Sequence, residues 1–148
     1  MNKIGKVLSV NISETKGVVK LPVESAVMIE NLGLEGDAHA AAGIRQVSLL
    51  GQDSVDKMTA LGVADLVPGI FAENITVEFP EIFKLAVGTK LRIGETLNEV
   101  SKIGKECHKG CAIKEKVGMC IMPTEGIFVS VIKGGTIKKG DIIEVIGE

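Results

Sequence analysis

Glycine recurs along this chain between short runs of β-branched residues, and this spacing limits the fold more than any other feature. Such runs form strands, and the glycines between them form turns. Only the segment from about Asp53 to Leu61 has the spacing of an amphipathic helix, with Asp53 or Ser54 as its expected N-cap and Gly62 after its end. The pattern predicts a mainly antiparallel β-barrel with one or a few short helices, formed by a single domain over residues 1–148.

The expected strands follow one another closely. They are residues 3–13, 18–23, 25–30, 46–50, 71–77, 85–87, 89–93, 96–103, 126–133 and 142–146. In the first strand, Leu8, Val10 and Ile12 alternate with polar residues, which predicts one apolar face and one polar face. The stretch 31–44 is rich in glycine and alanine and is expected to be a loop, where functional side chains are common.

Composition excludes several classes of protein. The chain has 17 Lys and Arg against 19 Asp and Glu, a net charge of −2, and neither Trp nor Tyr. It therefore lacks the basic surplus of a nucleic-acid binder and the aromatic platform on which bases stack. No run approaches the roughly 20 apolar residues that cross a bilayer, and the N-terminus has no signal-peptide pattern. We expect a cytoplasmic protein with neither nucleic-acid nor membrane partners.

All three cysteines, Cys107, Cys111 and Cys120, fall within residues 104–123. Basic residues surround the first of them: Lys102, Lys105, His108 and Lys109. Positive charge favours the thiolate, which is the form that attacks sulfur or binds a soft metal. An odd number of cysteines without a secretory signal favours reduced thiols. Two other interpretations stay open: a zinc site formed by the cysteines with His108, and a cysteine packed in the core, especially at Cys120.

Seven short motifs follow one another in a fixed order along nearly the whole chain. They are Leu-Glu-Gly-Asp-Ala-His at 34–39, Arg-Gln-Val-Ser-Leu-Leu at 45–50, Gly-Ile-Phe-Ala-Glu-Asn-Ile at 69–75, Leu-Ala-Val-Gly-Thr at 85–89, Gly-Lys-Glu-Cys-His at 104–108, Gly-Ile-Phe-Val at 126–129 and Lys-Gly-Asp at 139–141. With this ordered set the chain resembles the MOSC domain family, named after the C-terminal region of molybdenum-cofactor sulfurase. It is most similar to the small bacterial members that carry extra cysteines.

The resemblance implies a β-barrel that handles the molybdenum cofactor, or sulfur destined for it. The characteristic cysteine of the family corresponds to Cys107, as the sulfur carrier or as a ligand of molybdenum. Larger relatives add a pyridoxal-phosphate cysteine-desulfurase module, for which this chain has no room. Pyridoxal phosphate is therefore expected only on a separate partner, the desulfurase. A molybdoenzyme or a cofactor-biosynthesis protein is the other implied partner.

The activity that the resemblance implies is sulfur transfer without a desulfurase module of its own. Two alternatives remain open. The first is a carrier that binds the cofactor without chemistry. The second is a molybdenum-dependent oxidoreductase that acts on N-hydroxylated substrates.

Several other residues are candidates for contacts with the implied cofactor. Arg45 follows the loop and could hold the cofactor's phosphate in a bidentate manner, or form a surface salt bridge with Asp37 or Glu35. The remaining candidates are His39, Gln46, Ser48, Asn74, Lys102 and His108. Asn74 and its neighbour Glu73 lie in an otherwise apolar strand, where a buried polar side chain needs a partner. For Asn74 that partner is either a ligand or the backbone of a loop.

Overall fold

A computed structural model describes residues 4–15, 18–38, 40–104 and 125–147. Within these ranges the elements, in chain order, are β1 (Ile4–Ile12), β2 (Leu21–Val23), β3 (Ser25–Ile29), β4 (Gly33–Leu34), β5 (Val47–Gly51), α1 (Gln52–Ala60), β6 (Ile75–Glu78), a 3₁₀ turn (Ile82–Lys84), β7 (Lys90–Ile93), β8 (Thr96–Ile103), β9 (Ile127–Lys133), β10 (Gly135–Lys138) and β11 (Ile142–Gly147). In this part of the chain no helix has the length and apolar character needed to cross a membrane.

Seven strands close into a barrel. Their order is β1, β11, β7, β8, β9, β5 and β6, and β6 pairs with β1 to complete the ring. Every pairing around the ring is antiparallel except β5 with β6, which are parallel because α1 and the following connector lie between them. A second sheet of β10, β3 and β4 is separate from the ring, and its Met28, Leu34 and Ile137 side chains join the same core. The predicted mainly antiparallel barrel is confirmed, with this one parallel pair as its exception.

Strand β1 has different neighbours along its length. Its first half pairs with β11, and its last residues pair with β2, whose Pro22 stands at the sheet edge as expected. A register shift between Val7 and Ser9 against β6 changes the face on which residues lie. Val7 and Val10 therefore enter the core, whereas Leu8 lines an open groove of about 580 Å³. The expected alternation that placed Leu8 with Val10 was wrong, because a bulge adds a residue and breaks the two-residue period.

The apolar side chains form two clusters. The larger one fills the barrel with residues from nearly every strand, such as Val10, Leu49 and Val129. The smaller one lies between the outside of β5 and α1, where Leu50 packs with Val55 and Met58. Leu61, the last residue of the expected helix, follows the helix end and is 71% exposed.

The start of α1 differs from the expectation. Gly51 is the N-cap residue, without a side-chain cap, so the proposed capping by Asp53 or Ser54 was wrong. Both side chains serve distant segments instead. Asp53 accepts a hydrogen bond from the backbone N–H of Glu81 at 2.9 Å, and Ser54 donates one to Glu125 at 2.6 Å.

One expected strand begins later than predicted, and another is absent. Residues 71–74 are not part of a strand, and β6 starts at Ile75. Ala72 has a positive φ of 63°, which interrupts an extended backbone. Residues 85–87 also fall outside the strands, after the 3₁₀ turn. The apolar runs at 71–77 and 85–87 predicted strands, and they contained no signal for these turns.

Candidate functional site

A row of five residues crosses the outer wall of the barrel from strand to strand. Lys102 on β8 pairs with Phe128 on β9, and Phe128 pairs with Ser48 on β5. The row continues through Asn74, whose N–H donates to the Ser48 carbonyl at 3.0 Å, to Asn11, whose N–H donates to the Asn74 carbonyl at 2.6 Å. Directly paired residues of a sheet share one face. We call these five residues the transverse row. Three predicted site residues, Ser48, Asn74 and Lys102, therefore lie on the same face.

Only one end of the transverse row meets solvent. Asn11, Asn74, Ser48 and Phe128 are buried, and Lys102 is partly exposed. Lys102 makes no ion pair with any residue of the described ranges. The row thus presents one ammonium group at its solvent end.

The side chains of Ser48 and Asn74 hold the barrel wall together. The Asn74 Oδ1 atom accepts hydrogen bonds from the Ser48 N–H at 3.0 Å and from the Ser48 hydroxyl at 3.2 Å. The Asn74 Nδ2 atom donates to the Asn11 carbonyl at 3.3 Å. A buried polar group needs such partners. The side chain of Asn74 therefore binds the protein itself, at Ser48 and at the Asn11 backbone. Of the two expected partners, a ligand or backbone, the structure shows backbone.

Glu73 lies inside the same wall and is fully buried. Its carboxylate accepts hydrogen bonds from the Thr76 hydroxyl at 2.7 Å and from the Phe71 N–H at 3.2 Å. The Asn11 amide donates to Thr76 at 3.1 Å and connects this group to the transverse row. Burial raises the pKa of Glu73, and the hydrogen bonds only partly oppose that effect.

A buried ion pair joins Lys20 to Asp37, in the loop that precedes β5. The Lys20 Nζ atom is 2.7 Å from the Asp37 Oδ1 atom, and the two side chains are 0% and 1% exposed. Burial would raise the pKa of Asp37, but the hydrogen bond and the charge of Lys20, with further hydrogen bonds, outweigh it and hold that pKa below its usual value. Sequence reasoning missed Lys20. The one available signal was a lysine within the apolar run 18–23.

Gln46 fixes the end of the same loop. Its amide donates to the Asn31 side chain at 3.1 Å and to the Gly43 carbonyl at 2.9 Å, and it accepts from the Val131 N–H at 2.9 Å. The Ser101 hydroxyl donates to the Ile44 carbonyl at 2.6 Å, which ties the loop to β8. Three segments therefore hold the loop where it enters β5.

Arg45 is exposed beside these anchors. It forms no salt bridge with Asp37, with Glu35 or with any other residue in the described part of the chain. The alternative expectation of a surface salt bridge was therefore wrong. His39, the other candidate from this loop, lies outside the described residues.

The predicted cysteine site also lies outside the described residues, namely Lys105, Cys107, His108, Cys111 and Cys120. The residues on either side of 105–124 are described and lie together. The Gly104 N–H donates to the Gly126 carbonyl at 2.6 Å. The described residues on the two sides of this gap therefore meet at one point of the barrel.

Glu125 holds the returning chain against α1. Its carboxylate accepts a hydrogen bond from the Ser54 hydroxyl at 2.6 Å and forms an ion pair with Lys57 at 2.9 Å. The Lys57 ammonium also lies 4.9 Å from the centre of the Phe83 ring. Burial opposes ionisation of Glu125, but Ser54 and Lys57 together lower its pKa.

These features fit the acidic part of a phosphorylated cofactor. Arg45 and Lys102 supply cationic groups without ion-pair partners among the described residues. Guanidinium and ammonium groups of this kind bind phosphate. Among the same residues, no three His, Cys, Asp or Glu side chains come together as a metal site. The described residues therefore fit an anion, and all three cysteines of the chain belong to residues 105–124.

Comparison with known proteins gives a family and several similar folds. The model of the MOSC domain family matches residues 36–144. No curated protein matches the chain. The crystal structure of YuaD from Bacillus subtilis superposes with a TM-score of 0.83 at 19% identity, covering 100% of this chain and 98% of that one.

Two longer proteins share the same barrel. YiiM from Geobacillus stearothermophilus superposes with a TM-score of 0.74 at 19% identity, over 96% of this chain and 75% of that one. YiiM from Escherichia coli gives a TM-score of 0.67 at 20% identity, over 100% and 71%. At this identity the comparison shows a common fold.

Proposed function

Because this chain belongs to the MOSC domain family, we propose that it binds the molybdenum cofactor or carries sulfur destined for it, with Cys107 as the reactive thiol. The observation that carries the proposal is the junction of Gly104 with Gly126. This bond joins two described residues that flank the segment 105–124. That segment contains every cysteine of the chain and follows Lys102 closely in the sequence.

Cys107 follows Gly104 by three residues in the sequence. Lys102 precedes Gly104 by two residues and is partly exposed. A nearby ammonium group favours the thiolate over the thiol. We assign Lys102, with His108 as a further candidate, the role of stabilising the Cys107 thiolate.

In this proposal Arg45 holds the phosphate of the cofactor. Its support is the anchoring of the loop at Gln46 and at Ile44, on either side of a guanidinium that has no ion-pair partner among the described residues. His39 is a further candidate contact from the same loop. Gln46, Ser48 and Asn74 act through the backbone, since their polar atoms bind other parts of the wall. When bound, the cofactor would supply a molybdenum centre that accepts a soft sulfur ligand.

The sulfur-transfer step is a thiol–disulfide type exchange. The Cys107 thiolate attacks the outer sulfur of a persulfide on a donor protein, a new sulfur–sulfur bond forms at Cys107, and the donor cysteine leaves as a thiolate. No net oxidation occurs, because the sulfane sulfur passes from one thiolate to another. A pyridoxal-phosphate cysteine desulfurase is the proposed donor, and a molybdoenzyme or a cofactor-biosynthesis protein is the proposed recipient.

Elemental analysis and intact mass test this function together. The wild-type chain, purified without oxygen from a host that makes the cofactor, is compared with Cys107→Ser and with Cys120→Ser as the matched control. We expect molybdenum, or a mass gain of one sulfur atom after treatment with a donor persulfide, in the wild type and in the control. Both should be absent in Cys107→Ser.

Other outcomes select the alternatives. Stoichiometric zinc would make the cysteine segment structural. Bound molybdenum without persulfide indicates a carrier, unless an artificial reductant drives reduction of an N-hydroxylated substrate. Neither metal nor persulfide in the wild type would contradict the proposal.

A further inference from the structure

Lys20 is a fully buried lysine that contacts three separate segments. Its ammonium group lies 2.7 Å from Asp37 in the loop before β5 and donates a hydrogen bond to the Ser13 hydroxyl, after β1, at 3.1 Å. The backbone N–H of Lys20 donates to the Gly69 carbonyl, in the connector after α1, at 2.8 Å. A lysine is rarely buried unless it is paired. Lys20 also precedes residue 36, where the family match begins.

Asp37 connects Lys20 to the start of the loop through further hydrogen bonds. Its Oδ1 atom also accepts a hydrogen bond from the Ser13 N–H at 3.1 Å. The neighbouring Ala38 N–H donates to the Ser13 carbonyl at 2.8 Å, and the Ala40 N–H donates to the Asp37 carbonyl at 3.1 Å. Lys20 and Ser13 therefore fix the start of residues 37–46, just as Gln46 fixes the end.

Arg45 lies between these two anchors and next to the second. Between the two anchors, the Ala41 N–H donates to the Leu32 carbonyl at 2.9 Å and Ile44 accepts from Ser101, so successive contacts follow the loop from Asp37 to Gln46. A functional group keeps its geometry only when the residues behind it are themselves fixed. The buried ion pair is the first of these contacts, and Arg45 follows the last part of the loop that they hold.

We propose that Lys20 is a positioning residue, which through Asp37 fixes the loop that presents Arg45 to a phosphate group. This inference rests on the proposed function, because it assumes that Arg45 binds an anion. Lys20 itself does not contact that anion, since its side chain is completely buried.

Titration calorimetry with inorganic phosphate, together with the NMR signal of the Arg45 Nε–H group, tests the inference. We expect Arg45→Ala to abolish phosphate binding and Lys20→Met to weaken it by roughly tenfold. Lys20→Met also leaves the Asp37 carboxylate buried without its cation, so this variant loses stability. The double variant Lys20→Met with Asp37→Asn removes both charges and should recover stability relative to Lys20→Met. Its phosphate binding should remain weak, because the loop has lost its charged anchor.

Ile143→Ala is the matched stability control. Ile143 is buried in the barrel core on β11, so this variant loses stability without altering the loop, and its phosphate affinity should equal that of the wild type. The positioning role would be overturned if Lys20→Met bound phosphate as tightly as the wild type does. It would also be overturned if the double variant recovered phosphate affinity together with stability. Equal phosphate binding by wild type and Arg45→Ala would overturn the anion site itself and the inference with it.

Discussion

Gly69 and Gly62 have the same type of backbone in different surroundings. Both have positive φ, at 87° and 95°. A Cβ atom on Gly69 would clash with the Lys20 carbonyl oxygen, whereas one on Gly62 would meet no atom of the described residues within 4 Å. We expect Gly62→Ala to lower the free energy of unfolding by about 1 kcal/mol, from backbone strain alone. Gly69→Ala should cost more than about 3 kcal/mol, since the backbone must move as well. Urea denaturation measures both, and equal costs would contradict this contact.

Glu73 should make stability depend on pH. Because the folded-state pKa of Glu73 is raised, the folded chain binds more protons than the unfolded chain between the two pKa values. The contribution of Glu73 to stability therefore falls as pH rises through that window. Glu73→Gln loses a hydrogen-bond acceptor and should cost about 1–2 kcal/mol at acidic pH, with a smaller cost at higher pH. Urea denaturation from roughly pH 4 to about pH 8 tests this. A cost that stays constant over that range would show that Glu73 does not titrate there.

The sequence singles out most of the polar residues that matter in the wall, but not their partners. Ser48 and Asn74 are separated by 26 residues and bind each other. Gln46 reaches the backbone of Val131 across 85 residues. Such pairs depend on strand register, which local pattern does not contain. Lys20 went unnoticed for the same reason, because its partner lies in another segment.

At the scale of elements, the bulge in β1 can be tested with two neighbouring residues. Val7 is 1% exposed and belongs to the barrel core, while Leu8 faces the groove. We expect Val7→Ala to lower the free energy of unfolding by about 2 kcal/mol and Leu8→Ala by less than about 1 kcal/mol. Urea denaturation of both variants gives the comparison. A larger cost at Leu8 would restore the simple alternation.

The contact of Glu125 with α1 gives a second prediction for an element. Glu125→Gln loses the ion pair with Lys57 and should lower the free energy of unfolding by about 1–2 kcal/mol near neutral pH. The pKa of Glu125 is lowered in the folded state, so its contribution is present above the unfolded pKa and is lost as pH falls through the folded value. The variant and wild type should therefore converge in acid. Lys84→Ala, which removes an exposed pair with Glu81, is the control and should change nothing measurable. A difference that persists in acid would contradict this assignment.

Helices and strands whose apolar residues repeat at a regular spacing could be predicted from the sequence. The residues at which they begin and end could not. The strand β9 and the helix α1 appear near their expected positions, because burial on one face leaves a clear period in the sequence. The start of β6 was misplaced, since the turn at Ala72 depends on Glu73 binding the Phe71 N–H. The helix cap was misassigned because Ser54 binds Glu125, which is 71 residues away.

At the scale of the whole molecule, closure of the barrel joins the two ends of the described chain. Ile4, Gly5 and Lys6 pair with Glu144, Ile143 and Ile142. We expect amides in this pairing to exchange with solvent only through global unfolding, in contrast to fraying termini. Amides of β2, at the sheet edge, should exchange at least roughly tenfold faster by local opening. Native-state hydrogen exchange measures this, and equal rates would indicate that the pairing of β1 with β11 opens locally.

The bond between Gly104 and Gly126 has a consequence for protein engineering. Strands β8 and β9 are already paired up to Ile103 and Ile127, next to that bond. Antiparallel strands need only a turn of about two residues to connect them. The ends of β8 and β9 therefore need no long connection to stay paired. Replacing residues 105–124 with a short hairpin turn should leave a chain that still folds and that lacks all three cysteines, and segments from other family members could be grafted at the same place.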